Sequence, residues 1–234
     1  MGFIKDMKEV LVPKNITLRE IREEDNEIYS FIFESDKPLD RNAGKHAMFM
    51  ITHKKIKKGT RVFSIASSPL EKNIMITTRI GDQPSEYKQA LSELKTGMKM
   101  ALRGPMGEFY AQPSKPMCFI TGGIGITPVR SMIKDLVMRN TNFNGKVNLI
   151  YINSTGKFIF EEELKSFAEH DNIQVDFFTD KESFTKKIKE ITGGSRQTIY
   201  FLSGSRQMTA SVKNLLIGQS ASKKNIKADT FFGY

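Results

Sequence analysis

The hydrophobic pattern of the chain changes once, near residue 113, and this change constrains the fold more than any other feature. Before it, short β-rich runs are separated by Pro, Gly, Asn, Asp and Lys. These runs cover 16–18, 27–33, 47–51, 62–66, 74–80 and 98–102. Short strands at such close spacing indicate a small antiparallel barrel or sandwich. One helical pattern interrupts them over 85–91, after Pro84.

Beyond residue 113, apolar runs of strand length alternate with helical patterns. The strand-like runs lie at 117–120, 147–152, 173–178 and 198–202, and the helical patterns near 129–138, 161–168, 184–191 and 208–217. Such alternation is the signature of a doubly wound parallel sheet. The proline-containing stretch 112–116 suits a linker. The sequence therefore predicts an all-β domain over 1–112 followed by an α/β domain over 113–234.

Composition excludes several classes of protein. The single Cys118 cannot form an internal disulfide, and an iron–sulfur cluster needs several thiolates. The three histidines show no metal-ligand spacing. We therefore predict no metal site, so any electron transfer would use an organic cofactor. No apolar run approaches the ~20 residues of a membrane span, and residues 1–10 lack a signal-peptide pattern, so we expect a soluble, cytoplasmic protein.

The chain is basic, with 36 Lys and Arg against 26 Asp and Glu and a formal net charge of +10. This excess indicates either a lysine-rich solvated surface or electrostatic steering of an acidic partner. The basic residues are dispersed and not interleaved with aromatic residues, as a nucleic-acid groove would require. We do not expect nucleic-acid binding.

Two segments of the β-rich half carry candidate chemistry. On a strand, Arg61 and Phe63 share one face, where the Arg fork can hold a phosphate beside an aromatic stacking surface. The alternative is an edge strand with a surface Arg and a core Phe. Ser85 opens the helix, whose first amides form an anion site. The alternative there is an ordinary N-cap.

Three glycine-containing segments follow predicted strands. Gly104 begins the first of them, 104–109, where a plain turn is the alternative reading. The second, 122–128, lies between the first α/β strand and its helix, where a doubly wound sheet places a pyrophosphate. The third, 203–208, brings Arg206 to a helix start, where a phosphate partner would explain a cation, and the alternative is an exposed Arg with no partner.

In this order, the segments resemble motifs of the ferredoxin–NADP reductase family. Residues 61–68 are similar to R-x-Y-S-I-A-S-S, 104–109 to G-P-x-G-x-F, 122–128 to G-G-x-G-I-T-P, 203–208 to C-G-P-x-x-M, and 229–231 to a terminal E-x-F. The resemblance implies an N-terminal antiparallel flavin-binding β-barrel and a pyridine-nucleotide-binding α/β domain. It also implies an oxidoreductase that uses FAD and NADPH or NADH, with FMN as the other flavin sharing the Arg61 phosphate contact.

Carried over residue by residue, the resemblance assigns roles. Arg61 would bind the flavin phosphate, Phe63 would pack on the isoalloxazine ring and Ser64 would lie near flavin N5. Amides near Ser85 would hold the FAD pyrophosphate, and Phe231 or Tyr234 would cover the other flavin face. The catalytic candidates are Ser64, Ser203 and Phe231. The cofactor-binding candidates are Arg61, Phe63, Ser64, Arg79, Ser85, Gly104, Gly122, Gly123, Gly125, Thr127, Ser154, Lys157, Gly204, Arg206 and Tyr234.

The sequence departs from the family motifs at three places. Phe63 replaces a Tyr, Ser203 replaces a Cys near the hydride path, and Ser205 and Arg206 replace a proline pair. Residues 153–157 lack the acidic residue that would bind a free ribose, which favours NADPH over NADH.

The resemblance implies that electrons pass to a separate acceptor, and the basic charge fits an acidic ferredoxin or flavodoxin. Free flavin or a ferric chelate is the alternative acceptor. A second alternative is that the chain is a non-catalytic electron-transfer subunit, or a regulatory nucleotide-binding module, of a larger complex. Such subunits commonly carry an added cysteine-rich cluster, so the lone Cys118 counts against this alternative.

Overall fold

A computed structural model describes residues 11–37, 39–139, 145–192 and 197–231. Contacts divide the chain into two compact units. The first runs to Tyr110 and also includes Arg130–Asp135, and the second comprises Ala111–Val129 and the chain from Leu136 onward. Within the described ranges, no helix is both long and apolar enough to span a bilayer. The domain boundaries 1–112 and 113–234 stay a prediction.

The first unit is built on one antiparallel sheet of six strands in the order β4-β3-β6-β1-β2-β5. Its elements are β1 (Lys14–Asp25), β2 (Ile28–Ser35), β3 (His46–Ile51), β4 (Thr60–Ser64), β5 (Ile74–Arg79), α1 (Glu86–Ser92) and β6 (Lys99–Met106). The edge strands are joined just beyond β4, where the N–H of Ala66 donates to the carbonyl of Met75 over 2.7 Å. The predicted antiparallel β-barrel architecture is confirmed.

The core of this unit is aromatic. Phe31, Phe33 and Phe49 are fully buried on the inner face of the sheet, each contributing roughly 1.5–3 kcal/mol by leaving water. Helix α1 packs on them through Tyr87 and Leu91. The Tyr87 hydroxyl donates to the carbonyl of Phe49 over 3.1 Å, which attaches the helix to β3.

The second unit is a five-stranded parallel sheet in the order β11-β10-β7-β8-β9, with helices between its strands. The elements from β7 onward are β7 (Met117–Gly122), α2 (Ile126–Arg139), β8 (Val147–Ile152), α3 (Glu161–Phe167), β9 (Ile173–Phe178), α4 (Lys181–Thr192), β10 (Ile199–Ser205), α5 (Arg206–Gly218) and β11 (Ile226–Phe231). Of α2, Arg130–Asp135 belong to the first unit. The predicted doubly wound α/β architecture is confirmed.

The central strands β7 and β10 are buried on both faces, as expected when helices connect parallel strands. On one face, Cys118 and Tyr200 pack with Phe184 of α4 and Leu216 of α5. Phe119 and Phe201 alternate with these strand residues and stack on each other at a centroid distance of 5.0 Å. The loops that carry the predicted nucleotide motifs follow the carboxyl ends of the strands.

Candidate functional site

The strand order of the parallel sheet reverses between β7 and β10. The chain moves outward from β7 through β8 to β9, then returns to place β10 on the other side of β7. In open α/β sheets, ligands bind outside the carboxyl ends of the strands at this switch point. Gly122 ends β7 and Ser205 ends β10, so two predicted segments meet there.

The two segments pack tightly against each other. A Cβ added to Gly125 would clash with the carbonyl group of Ser203, so only glycine allows the loop after β7 to lie against the end of β10. The sulfur of Met208 lies where a Cβ on Gly122 or on Gly204 would point, at 2.9 and 2.8 Å. The G-G-x-G and S-G-x-x-x-M segments therefore form a single packed structure.

The backbone of the glycine loop is arranged to bind an anion. Gly123–Gly125 form one 3-10 turn that leads directly into α2, and Gly123 adopts φ +55° with open space beside its Cα. The first amides of a helix have no intrahelical acceptor and carry the positive end of its dipole. Thr127 is buried in the first turn and donates to the carbonyl of Ile124 over 3.1 Å. The donor set fits a nucleotide pyrophosphate.

Two buried hydroxyl groups lie beside this loop. Thr121 and Ser203 are neighbours across the β7–β10 ladder, and both side chains are fully buried. Within the described ranges, neither hydroxyl oxygen has a hydrogen-bond partner. An unpaired buried hydroxyl costs about 1–3 kcal/mol, so such groups mark a place where a polar ligand or water completes the bonding. Both fit a nicotinamide nucleotide. Sequence reasoning missed Thr121, although it directly precedes the glycine pair.

The other described residues of the second unit that are predicted for a cofactor lie at the same edge of the sheet. Ser154 and Lys157 are exposed in the turn after β8, which the side chain of Asn153 closes by accepting from the N–H of Thr155. Arg206 is exposed at the first position of α5. Phe231 ends β11 opposite Ser205. Tyr234 lies outside the described residues.

In the first unit, the predicted flavin residues surround Tyr87. The Arg61 guanidinium lies over the Tyr87 ring at 5.4 Å from its centroid, and the Phe63 ring lies 5.9 Å from the same ring. Arg61 also donates to the carbonyls of Lys58 and Thr60 over 3.2 and 2.9 Å. Ser64, the last residue of β4, is buried. Strand alternation correctly puts Arg61 and Phe63 on one face.

Basic residues gather near the start of α1. Burial lowers the pKa of Lys88, and the nearby charge of Arg79 lowers it further. Arg79 also lies 3.8 Å from the carboxylate of Glu27. Ser85 is an N-cap whose hydroxyl accepts from the N–H of Lys88 over 3.4 Å. A phosphate group fits this donor set because it would relieve the repulsion between the two cations.

Gly104 lies inside β6 rather than after a strand. The strand continues to Met106, through a cis peptide bond between Gly104 and Pro105. Gly104 adopts φ +118° and packs against Ala47 of β3. The segment is therefore part of the sheet, and the expected turn begins only after Met106.

The segment that follows β4 is held by a buried polar network that sequence reasoning missed. Arg41 donates to the carbonyl of Ser67 over 2.9 Å, and the Ser131 hydroxyl donates to the same carbonyl over 2.7 Å. The Ser68 hydroxyl donates to Asp135 over 2.8 Å. Burial lowers the pKa of Arg41 to about 10, although nearby carboxylates oppose this. These partners are far apart in sequence, so no local pattern reveals them.

Comparisons with known proteins agree with this geometry. Residues 119–214 match the family model described as an oxidoreductase NAD-binding domain. The chain is 28% identical over 217 residues to a subunit of the Na(+)-translocating NADH-quinone reductase from Idiomarina loihiensis, covering 81% of this chain and 53% of that protein. The corresponding protein from Colwellia maris is 32% identical over 155 residues, covering 61% and 50%. The chain thus spans about half the length of these relatives.

Solved structures share the fold across nearly the whole chain. Ferredoxin-NADP+ reductase from Plasmodium falciparum superposes with a TM-score of 0.78 at 17% identity, covering 94% of this chain and 96% of that one. The cytochrome P450 reductase GcoB of Amycolatopsis superposes with a TM-score of 0.79 at 17% identity, covering 94% and 70%. At this identity, the likeness concerns the fold.

Proposed function

We propose that this chain, an oxidoreductase with the two-domain fold of the ferredoxin–NADP reductase family, oxidises NAD(P)H with FAD and passes the electrons to a separate acceptor. The observation that carries the proposal is the glycine loop at the β7–β10 switch point, beside the buried hydroxyls of Thr121 and Ser203. Bound FAD supplies the redox chemistry, since a flavin accepts a hydride and releases electrons one at a time. The protein supplies binding and orientation.

The coenzyme is bound by the second unit. The amides of Gly123–Gly125 and the start of α2 hold its pyrophosphate, and the close packing of Gly125 on Ser203 keeps the loop rigid. Ser203 and Thr121 offer hydroxyl groups to the nicotinamide end. Phe231, at the end of β11, is the aromatic residue we assign to the flavin face.

The flavin is bound by the first unit. Arg61, fixed by two carbonyls and the Tyr87 ring, binds a flavin phosphate, while Phe63 provides a stacking surface. The pair Arg79 and Lys88 near Ser85 provides positive charge for a second phosphate. Two such sites favour FAD, which has a pyrophosphate, over FMN, which has one phosphate.

NADPH is the coenzyme that the turn after β8 favours. Residues 153–160 contain no acidic side chain to bind a free ribose hydroxyl pair, whereas Lys157 and Arg206 are exposed cations at the same edge of the sheet. The sequence relatives are subunits of an NADH-quinone reductase by name, while several of the matching structures hold 2'P-AMP. A comparison of both coenzymes is therefore part of the test.

The acceptor we assign is an acidic one-electron carrier of the ferredoxin or flavodoxin class, in the cytoplasm. The net charge of +10 steers such a partner, and four lysines of the β3–β4 hairpin extend this charge beside α1, where Lys54 binds Glu93. Steering of this kind weakens with salt, so the rate of electron delivery should fall steeply as ionic strength rises. Free flavin or a neutral ferric chelate as the acceptor would give a nearly salt-independent rate.

A second candidate function is that of an electron-transfer subunit in a larger complex. It is favoured by the relatives, which by name are subunits of a Na(+)-translocating NADH-quinone reductase and are about twice as long as the matched region. In that case the isolated chain would bind flavin, and electrons would enter and leave that flavin only in the assembled complex.

An anaerobic absorbance titration tests the proposal. The purified chain is supplied with FAD, and the flavin band is followed as NADPH or NADH is added. Rapid bleaching by one coenzyme is the expected result, and it also identifies the coenzyme. Bound flavin that neither coenzyme bleaches would contradict the reductase and support the second candidate. Failure to bind flavin would overturn both.

A further inference from the structure

The buried side chain of Tyr151 connects two loops of the proposed coenzyme site. It lies in β8 with its side chain fully buried, and its ring packs against Phe158 and Phe177 at centroid distances of 5.1 and 6.2 Å. Its hydroxyl donates to the carbonyl of Gly123 over 3.0 Å and accepts from the N–H of Ile159 over 3.3 Å. One side chain thus holds the glycine loop and the segment after β8.

The direction of the Gly123 carbonyl determines the direction of the Ile124 N–H. In a trans peptide unit, the C=O of one residue and the N–H of the next point to opposite sides. The Gly123 carbonyl accepts from both Tyr151 and the N–H of Ile126, so it is fixed towards the interior. The N–H of Ile124 consequently points to the side of this peptide that faces away from the Tyr151 hydroxyl.

We infer that Tyr151 is a positioning residue for the pyrophosphate of the nicotinamide coenzyme. Its hydroxyl fixes the peptide between Gly123 and Ile124 with the amide turned to the ligand. Through Ile159 it also couples this amide to the turn that carries Ser154 and Lys157. This inference rests on the proposed function, because it takes the glycine loop as the coenzyme site.

Tyr200 provides a matched control. It is a buried tyrosine of β10 in the same sheet, and its hydroxyl lies within hydrogen-bonding reach of Thr192 at the end of α4 and of Thr198 just before β10. Tyr151→Phe and Tyr200→Phe each remove one buried hydroxyl from the same sheet. Only Tyr151→Phe releases the glycine loop.

The test compares steady-state kinetics and direct binding for both variants. For Tyr151→Phe we expect KM to rise about tenfold with kcat within a factor of two of the wild type, the size of one lost hydrogen bond. Calorimetry on the flavin-free chain should show the same loss of coenzyme affinity, and the backbone 15N shift of Ile124 should move without ligand. For Tyr200→Phe, KM, affinity and the Ile124 shift should all stay at the wild-type values.

Two outcomes would overturn the role of Tyr151, and a third would contradict the proposed function. Wild-type KM and affinity in Tyr151→Phe would overturn the inference. An equal loss in Tyr200→Phe would also overturn it, because the effect would then be one of general stability. A wild-type chain that binds neither coenzyme would instead contradict the proposed function.

Discussion

Arg130 and Glu71 form a bidentate ion pair, with Nη1 of Arg130 2.9 Å from Oε2 of Glu71 and Nη2 3.0 Å from Oε1. The two side chains are 7% and 17% exposed, and Arg130 also donates to the carbonyl of Ala66 over 2.9 Å. Glu71 in turn accepts from the N–H of Ser68 over 2.6 Å. The pair therefore fixes the segment that follows Ser64 of the predicted flavin motif.

Glu71→Gln should destabilise the protein markedly. The substitution removes the charge that Glu71 places against the buried guanidinium, and removing one partner of a buried pair costs about 3 kcal/mol. Urea unfolding at pH 7 measures the difference. The control is Glu34→Gln, which breaks the exposed pair with Arg19 and should cost under about 1 kcal/mol. Equal losses in the two variants would contradict the structural importance of the buried pair.

The same pair makes stability depend on pH. Burial favours the neutral form of Glu71, but the hydrogen bond and charge of Arg130, with the N–H of Ser68, outweigh it and hold the pKa below its ordinary value. The folded chain then binds fewer protons than the unfolded chain, so this stabilisation is present above the ordinary pKa and is lost as pH falls through the folded one. The gap between wild type and Glu71→Gln should be constant from pH 6 to 8 and shrink below about pH 4.

Arg61→Ala should lower flavin affinity. The guanidinium is oriented by two backbone carbonyls and the Tyr87 ring, so its loss removes a pre-positioned phosphate donor. A charge-assisted hydrogen bond contributes about 1.5–3 kcal/mol, which corresponds to a roughly 10- to 100-fold weaker Kd. Fluorescence quenching of added FAD gives the constant. Arg22→Ala, at an exposed arginine paired with Glu20 on β1, should bind as the wild type does. Full flavin occupancy in Arg61→Ala would refute the assignment.

Cys118 should be chemically inert in the folded protein. Burial raises the pKa of its thiol to about 12, with a further contribution from the charge of Asp176 that Lys187 partly opposes. The thiolate is the reactive form, so almost none is present at pH 8. A thiol reagent such as DTNB should react with one group per chain in denaturant and with none in buffer. Rapid labelling of the native protein would contradict the buried position in β7.

Gly125→Ala should disrupt the proposed coenzyme site. Its added Cβ would clash with the backbone carbonyl of Ser203, which cannot move aside as a flexible side chain can. Overpacking of this kind costs about 1–3 kcal/mol, and the displaced loop should bind coenzyme poorly. Gly218→Ala is the control, since no atom lies near its Cβ position in α5, and it should be neutral or stabilising. Thermal unfolding and coenzyme titration measure both effects, and wild-type binding by Gly125→Ala would show that the loop can adjust.

Much of the fold could be predicted because its strands follow simple patterns. Strand β7 is an almost continuous buried run, and β8 and β9 each contain several apolar residues of strand propensity, so the predicted bounds of all three strands nearly match the structure. Strand β11 was missed because Ile226–Phe231 contains Lys, Asp and Thr and pairs on one side only. The second half of β1 was also missed, because its exposed charged residues are set by pairing with β2 and not by burial.

The candidate site, like the fold, could be predicted from the sequence only in part. Glycine spacing gave the loop after β7, since the backbone requirement is local and visible in sequence. The partners that orient it, Tyr151 and Ile159, lie on another strand and loop, and the Arg130–Glu71 pair joins residues 59 positions apart. Such contacts exist only after folding, so no window of the sequence contains them.

Arg206→Ala should reduce the preference for NADPH selectively. Arg206 is exposed at the start of α5, where the helix dipole disfavours a cation unless an anion is bound. If it binds the 2′-phosphate, its removal should raise KM for NADPH about tenfold and leave KM for NADH unchanged. Lys157→Ala should act in the same direction, because Lys157 is exposed in the turn at the same sheet edge.

Steady-state kinetics with both coenzymes measure these changes, with Lys213→Ala on the exposed side of α5 as the control. An equal rise in KM for NADPH and NADH would mean that Arg206 contacts a part common to both, such as the pyrophosphate. A wild-type chain that prefers NADH would reject the NADPH assignment itself. The exposed cations would then be part of the basic surface that we assign to the acidic partner, and the salt dependence of electron delivery should change in Arg206→Ala while both KM values stay constant.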